Sequence, residues 1–394
     1  MGVMGMDTGS EKARTARRRS TRPMDAPQLL VGRILGGQYR LDGVLNAGGM
    51  GIIFEATQLS IDRRVAVKVL KPTLSRDPSL VERFQLEVEV VAQISHPNVV
   101  KLIDSGGDDT GLIYLVMEFV EGKTLRQALR GGELKLWEIL EVFSQVCTAL
   151  IEIHGQQIIH RDLKFDNIMI SRMRDGRIHV QLLDFGVAKL LSRDINLTEG
   201  GQVAGTPGIV APELVDGEEP SVESDLYSMG VLIFTTLAGR APFSAENDLE
   251  LMRAHKVEPL PNLREMVGQR VPEEIVDLTM ELLAKDRSLR PGSAMDVRRR
   301  LDNMSRRIRD KFPDATAYVP PDTQGLQLPK RPSPDLSVLE ALEESRDTEH
   351  SRGIKRRFSE PRVAPMTVVA ALSLLLMILA VALIYVVFVT TGSG

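Results

Sequence analysis

The sequence predicts an α+β fold of two lobes, a small β-rich lobe followed by a larger helical one, with a single C-terminal transmembrane helix. Three observations predict it. Short apolar runs of strand length, separated by turn residues, fill the first half of residues 39–309. Apolar residues at helical spacing fill the second half. Met366 to Val389 is a stretch of 24 residues without a charge. As a helix rising about 1.5 Å per residue, it is long enough to cross a hydrocarbon core of about 30 Å.

The 394 residues are 43% hydrophobic and 26% charged, which supports a sizeable core and excludes a wholly disordered chain. The single cysteine, Cys147, excludes an intramolecular disulfide framework and a cysteine-based zinc site, and it fits a reducing compartment. The net charge of −4 is unevenly placed. Residues 1–22 carry six basic and two acidic side chains, residues 351–362 carry five and one, and residues 363–394 carry none. An acidic body between basic flanks argues against a nucleic-acid binder, so no nucleic-acid partner is expected.

In chain order, residues 1–38 read as a disordered basic N-terminal arm, rich in Ser, Thr and Arg, without the apolar core of a signal peptide. Strand-like runs follow at Tyr39–Leu45, Ile52–Gln58 and Val65–Leu70, then a helical stretch at Leu80–Ile94 and two further runs at Val99–Ile103 and Ile113–Phe119. Helical periodicity covers Leu136–His154, Tyr227–Ala238 and Ile275–Ala284. The change from sheet to helix predicts a cleft near residue 120, a place that active sites favour. Residues 310–362 are dominated by Pro, Asp, Glu and Ser and read as a disordered linker. It ends in a basic juxtamembrane segment with Arg352, Lys355, Arg356, Arg357 and Arg362. Residues 363–390 form the predicted span and 391–394 a short extracytoplasmic tail. The basic flank predicts a single-pass protein of the inner (plasma) membrane with its body on the cytoplasmic side. A buried core helix is the weaker reading, because core helices of this length rarely lack a polar face.

The chemistry begins at Ala47, Gly48, Gly49, Met50 and Gly51, between two strand-like runs. A glycine-rich turn lets backbone N–H groups approach phosphate oxygens, although a flexible hairpin has the same composition. Lys68 follows the apolar run Val65, Ala66, Val67, and Glu87 in the next helix is an available carboxylate. Such a pair can aim the ammonium at a nucleotide phosphate. The decisive segment runs from His160 through Arg161, Asp162, Leu163, Lys164, Phe165 and Asp166 to Asn167, followed by Asp184, Phe185 and Gly186. Asp162 can accept a hydroxyl proton, while Asn167 and Asp184 offer the hard oxygen ligands that Mg²⁺ prefers. Phosphoryl transfer requires this set.

On these motifs the chain, over residues 39 to about 309, resembles the eukaryotic-like (Hanks-type) serine/threonine protein kinases of bacteria. The resemblance implies the bilobal protein kinase fold, ATP with Mg²⁺ or Mn²⁺, and protein substrates. It assigns Lys68 to the α/β-phosphates, Glu87 to the pairing helix, Asp162 to the catalytic base, Lys164 to the γ-phosphate, and Asn167 and Asp184 to the metal. It places Asn46 to Gly51 as the glycine loop, Met117 as gatekeeper, Glu118 to Val120 as the adenine hinge, and Ile53, Ala66 and Met169 around the adenine.

Ala211, Pro212 and Glu213 resemble the motif that closes an activation segment, Arg290 its ion-pair partner, and Asp225 the helix-start aspartate that holds the catalytic loop. Lys164, with Gly205, Thr206 and Pro207, resembles the serine/threonine-specific pattern. Arg161 is implied to bind a phosphorylated residue of the activation segment. Thr198 is the expected phosphosite, modified in trans by a transient homodimer. Two departures stand out: Asn46 replaces the usual first glycine, where it is expected to tolerate positive φ, and Ile209 replaces a common aromatic. A nucleotide-binding pseudokinase scaffold and a small-molecule phosphotransferase are the competing readings.

Overall fold

Alternation along residues 63–70 sets the architecture of the first lobe. Val65, Val67 and Val69 fall on one face of a strand, and Ala66 and Lys68 on the other. The computed structural model describes residues 30–48, 51–70, 86, 88–107, 112–184 and 207–322. Ile34–Leu35 (β1), Tyr39–Gly48 (β2), Gly51–Gln58 (β3), Arg63–Leu70 (β4), Leu102–Gly107 (β5) and Ile113–Glu118 (β6) form one antiparallel sheet. Its strand order is β1-β2-β3-β4-β6-β5. Register carries the alternation across the strands: Ile53 opposes Lys68, and Lys68 opposes Leu115. In the next row Glu55 opposes Ala66, and Ala66 opposes Met117. The opposite face, with Phe54, Val65, Val67, Val69 and Val116, builds a small core of its own together with Leu35, Tyr39 and Tyr114. Lys68 therefore faces the second lobe by strand geometry.

Sheet gives way to helix after Glu118. A three-stranded sheet of Lys123–Thr124 (β7), Ile168–Arg172 (β8) and Ile178–Leu182 (β9) lies at the head of the helical lobe. Gly122, at φ 139°, passes so close to β8 that a Cβ there would fall 2.3 Å from the Ile170 carbonyl oxygen. The helices are Leu125–Arg130 (α1), Leu136–Gly155 (α2), Pro212–Val215 (α3), Val222–Ala238 (α4), Asp248–Val257 (α5), Leu263–Val267 (α6), Glu273–Leu282 (α7) and Ala294–Lys311 (α8). Helix α4 is apolar around most of its circumference and runs through the core, as such a helix must. Helix α8 is amphipathic and lays its Val297, Leu301 and Met304 stripe into the core; Ser305 Oγ on the same helix donates to the Trp137 carbonyl oxygen of α2 at 2.9 Å.

Several predicted elements shift. The run at Val99–Ile103 is not one strand: Val99 bridges Leu182 in the helical lobe, and the sheet strand begins at Leu102. The apolar run crosses the junction of the lobes and serves both. Helix α4 starts at Val222, because Ser221 and Ser224 close a capping box around a polar first turn that apolar periodicity does not register. Residues 30–38 are part of the sheet lobe, not of a disordered arm: Leu30 and Leu35 are buried and β1 pairs with β2. Residues 310–322 also depart from the predicted linker. Helix α8 continues to Lys311, and Tyr318 docks on the lobe, its N–H donating to the Leu134 carbonyl and its hydroxyl to the Leu237 carbonyl, each at 2.8 Å. Of the predicted helix Leu80–Ile94, residues 86 and 88–92 are described and helical, and residues 93–94 lie past its end. Among the described residues no helix is long and apolar enough to cross a membrane. The predicted span at 363–390, Gly49, Met50, Glu87 and Thr198 all lie outside the described residues.

Candidate active site

The two lobes bring their polar groups together around five residues that the sequence singled out. Lys68, 4% exposed on the cleft face of β4, donates to both carboxylate oxygens of Asp184, at 2.5 and 2.6 Å. Asp184 follows β9 and is held at φ 50°, a left-handed conformation that costs a non-glycine residue free energy. Arg161 is likewise held at φ 64°. Strain of this kind persists where the surroundings over-determine the backbone, and here it falls on both sides of the cleft floor.

The loop from His160 to Asn167 is built from buried hydrogen bonds. Lys164 Nζ donates to Asp162 Oδ2 at 2.5 Å. Asn167 Nδ2 donates to the Asp162 carbonyl at 2.8 Å and to Asp162 Oδ2 at 3.1 Å. This commits the amide nitrogen of Asn167 and leaves its Oδ1 as the atom suited to a hard cation. Burial pulls the Lys164 ammonium downward, but the charges of Asp162 and Asp184 outweigh it and the net shift is upward, so Lys164 stays charged. Burial lowers the His160 pKa and keeps its ring neutral. Nε2 then donates to the Leu183 carbonyl at 3.2 Å while Nδ1 accepts from the Asp162 N–H at 3.3 Å. One imidazole thus joins the loop to the segment that carries Asp184.

Asp225, at the start of α4, anchors the loop from below. It accepts from the His160 N–H at 2.8 Å, the Arg161 N–H at 3.0 Å and His154 Nε2 at 2.9 Å. Burial pushes this carboxyl up, but those hydrogen bonds and the neighbouring imidazoles hold it below the usual carboxylate range. Glu213 and Arg290 form a buried bidentate pair, both contacts at 2.8 Å, and Ser224 Oγ adds a third bond at 2.8 Å. The net pKa of Glu213 is lowered, its burial being outweighed chiefly by Arg290.

The residues expected around a purine lie together at the junction. Ile53, Ala66 and Met117 share the cleft face of the sheet. Glu118 closes the ladder opposite Val65, and Val120 follows it. Met169 opposes Gln181, whose Nε2 donates to Glu118 Oε1 at 2.8 Å and ties the hairpin beneath to the lobe connection. Ala47 and Gly48 end β2, with Gly48 opposite Gly51. A Cβ at Gly51 would fall 2.3 Å from the Val69 carbonyl, so only glycine fits. Asn46 corrects one expectation: it sits in the ladder opposite Ile53 and is not among the described residues with positive φ. Extended backbone accommodates it without the strain that glycine would relieve.

Three contributors were missed in the sequence: Gln181, His154 and the buried pair of Arg126 with Asp166. Their partners lie 63, 71 and 40 residues away, and no local pattern links them. For His154, the one signal was its place at the C-terminal end of a helix with an apolar stripe.

Residues 39–300 match the family model described as Protein kinase domain. The serine/threonine-protein kinase pkn3 of Myxococcus xanthus is 34% identical over 318 residues, 79% of this chain and 58% of pkn3. The chain spans less than two thirds of the length of the curated relatives it matches. The crystal structure of the Mycobacterium tuberculosis PknI kinase domain (a C20A_R136A double mutant) shares the fold at TM-score 0.55 and 23% identity, covering 70% of this chain and 98% of that one. The crystal structure of Rad53 1-466 in complex with AMP-PNP has TM-score 0.55 and 27% identity, covering 66% and 64%.

Proposed function

Because the chain belongs to the protein kinase domain family, we propose that it is a membrane-anchored serine/threonine protein kinase, transferring the ATP γ-phosphate to Ser and Thr hydroxyls of proteins. The observation that carries this reading is the convergence of Lys68, Asp162, Lys164, Asn167 and Asp184 from two lobes on one cleft.

The donor set fits a nucleotide with its metal. Lys68 would hold phosphate oxygens, and Asn167 Oδ1 with the Asp184 carboxylate would hold Mg²⁺. Bound Mg²⁺ supplies charge neutralisation on the phosphates. Asp162, paired with the Lys164 ammonium, accepts the proton of the acceptor hydroxyl. Lys164 then steadies negative charge on the transferring group, and Asn167 fixes the carboxylate through its amide. His160 and Asp225 add no reacting atom; they hold the main chain on which Asp162 stands.

Glu87 as the ion-pair partner of Lys68, Gly49 and Met50 in a phosphate loop, and Thr198 as an autophosphorylation site modified in trans belong to the same reading. So does anchoring at the inner membrane through residues 363–390, supported by the uncharged stretch and the basic residues before it. Transfer of ³²P from labelled ATP to a generic protein, followed by phosphoamino-acid analysis, tests the activity. Label on Ser and Thr is expected. Absence of label at saturating ATP and Mg²⁺ rejects the kinase in favour of a scaffold.

A further inference from the structure

Asp166 is the second carboxylate of the catalytic loop, and phosphoryl transfer does not use it. Its side chain is 8% exposed and is gripped by Arg126, 5% exposed, whose Nε lies 3.0 Å from Oδ1 and 2.8 Å from Oδ2, with Nη2 2.8 Å from Oδ2. Arg126 comes from α1, which begins directly after the connection between the lobes. Its position is fixed twice. Thr124 and Gln127 close a capping box around the first turn of α1, and the guanidinium carbon lies 5.8 Å from the centre of the Phe165 ring. The chemistry is close by: Asp166 adjoins Asn167, and its charge acts on Lys164, whose ammonium rests on Asp162.

A carboxylate beside the acceptor site is the group that would take a cationic side chain of a bound polypeptide. Here an arginine of the same chain already takes both oxygens. Its planar fork is pre-positioned, whereas a substrate arginine would have to displace it, exchanging one charge-assisted pair for another and ordering a flexible side chain as well. We propose that Arg126 is a specificity-determining residue. By holding Asp166 it withholds an acidic subsite, so the protein acts on hydroxyls flanked by neutral or acidic side chains and does not select Arg or Lys beside the acceptor. The inference rests on the kinase reading above.

A positional library of Ser- and Thr-centred peptides, phosphorylated by the full chain in detergent with Mg-ATP, reads the preference directly. The wild-type chain is expected to show no enrichment of Arg or Lys at any flanking position. Arg126→Met keeps an aliphatic stem and uncovers Asp166, and Arg or Lys should then be enriched about tenfold at one flanking position. Adding Asp166→Asn should abolish that enrichment. A pair that only staples α1 to the loop predicts a different result: Arg126→Met lowers turnover by one common factor for all peptides and leaves the preference unchanged, which would overturn the proposal. A wild-type chain that selects basic peptides overturns it too, whether or not the variants fold. If the wild-type chain phosphorylates neither peptides nor proteins, the kinase reading itself fails and the inference fails with it.

Discussion

Lys68 Nζ lies 2.5 Å from Asp184 Oδ1 and 2.6 Å from Oδ2, bridging 116 residues of sequence and both lobes of the molecule. Each charge is placed by its own backbone, one by strand register and the other by a left-handed residue after β9. Lys68→Met and Asp184→Asn are each expected to lower phosphoryl transfer by about 10² to 10³, the usual effect of removing one preorganised electrostatic group. Circular dichroism and melting of the purified variants should stay close to wild type. Near wild-type turnover in either folded variant would remove that residue from the site.

Asp225 is expected to act on the loop and not on the reaction. Asp225→Ala leaves the His160 and Arg161 N–H groups and His154 Nε2 without the acceptor they share. At about 1–3 kcal/mol for each of the three stranded buried donors, urea unfolding should show a loss of about 3–9 kcal/mol. Activity should fall as well, and local protection of residues 160–167 against hydrogen exchange should fall further than that of α4.

The Glu213–Arg290 pair makes a different prediction, because it is buried and bidentate. Arg290→Met leaves a buried carboxylate and should cost about 3–5 kcal/mol. The double variant Glu213→Leu with Arg290→Met should recover part of that loss, since no uncompensated charge remains. A double variant less stable than Arg290→Met alone would show that the pair contributes more than its own neutralisation.

Acid should destabilise the protein first through its buried histidines, His255 among them. Burial, with Lys285 nearby, holds the His255 imidazole down to about 3, while its Nδ1 meets the Tyr227 hydroxyl at 3.0 Å. Between the ordinary histidine value of about 6.5 and this folded value, the unfolded chain binds a proton that the folded chain refuses. Stability therefore falls as pH drops through that window. From pH 7 to 5 the loss should be about 1–2 kcal/mol by urea unfolding. His255→Gln should reduce it, leaving the part that comes from His160, whose value burial also lowers. Asp225 and Glu213 have linkage of the same sign, their folded values also being lowered, but they lose their contribution only as pH falls below about 4.

Anchoring is tested by truncation. A chain ending before Met366 should remain in the soluble fraction with intact chemistry and autophosphorylate more slowly when dilute, because tethered kinases meet more often on one surface. Equal rates for truncated and liposome-bound protein at matched low concentration would exclude a concentrating role.

Local chemistry was enough to place much of this protein from its amino acids. The alternation in Val65–Leu70 specifies a strand and the face on which Lys68 lies, and the cluster Asp162, Lys164, Asn167 declares its chemistry because these residues are neighbours in sequence. Helix α2 was legible because its apolar stripe repeats every turn. Tertiary structure alone decided the pairings: that Lys68 meets Asp184, that Asp225 holds His160 and Arg161, and that Arg126 closes on Asp166. It also drew Leu30, Leu35 and Tyr318 into packed contacts, where a composition rich in turn and charged residues reads as disorder. The physical reason is the same in each case. A hydrogen bond or ion pair across 40 to 116 residues leaves no periodic trace in the chain, because what positions its two ends is the register of a sheet and the packing of helices around a common core.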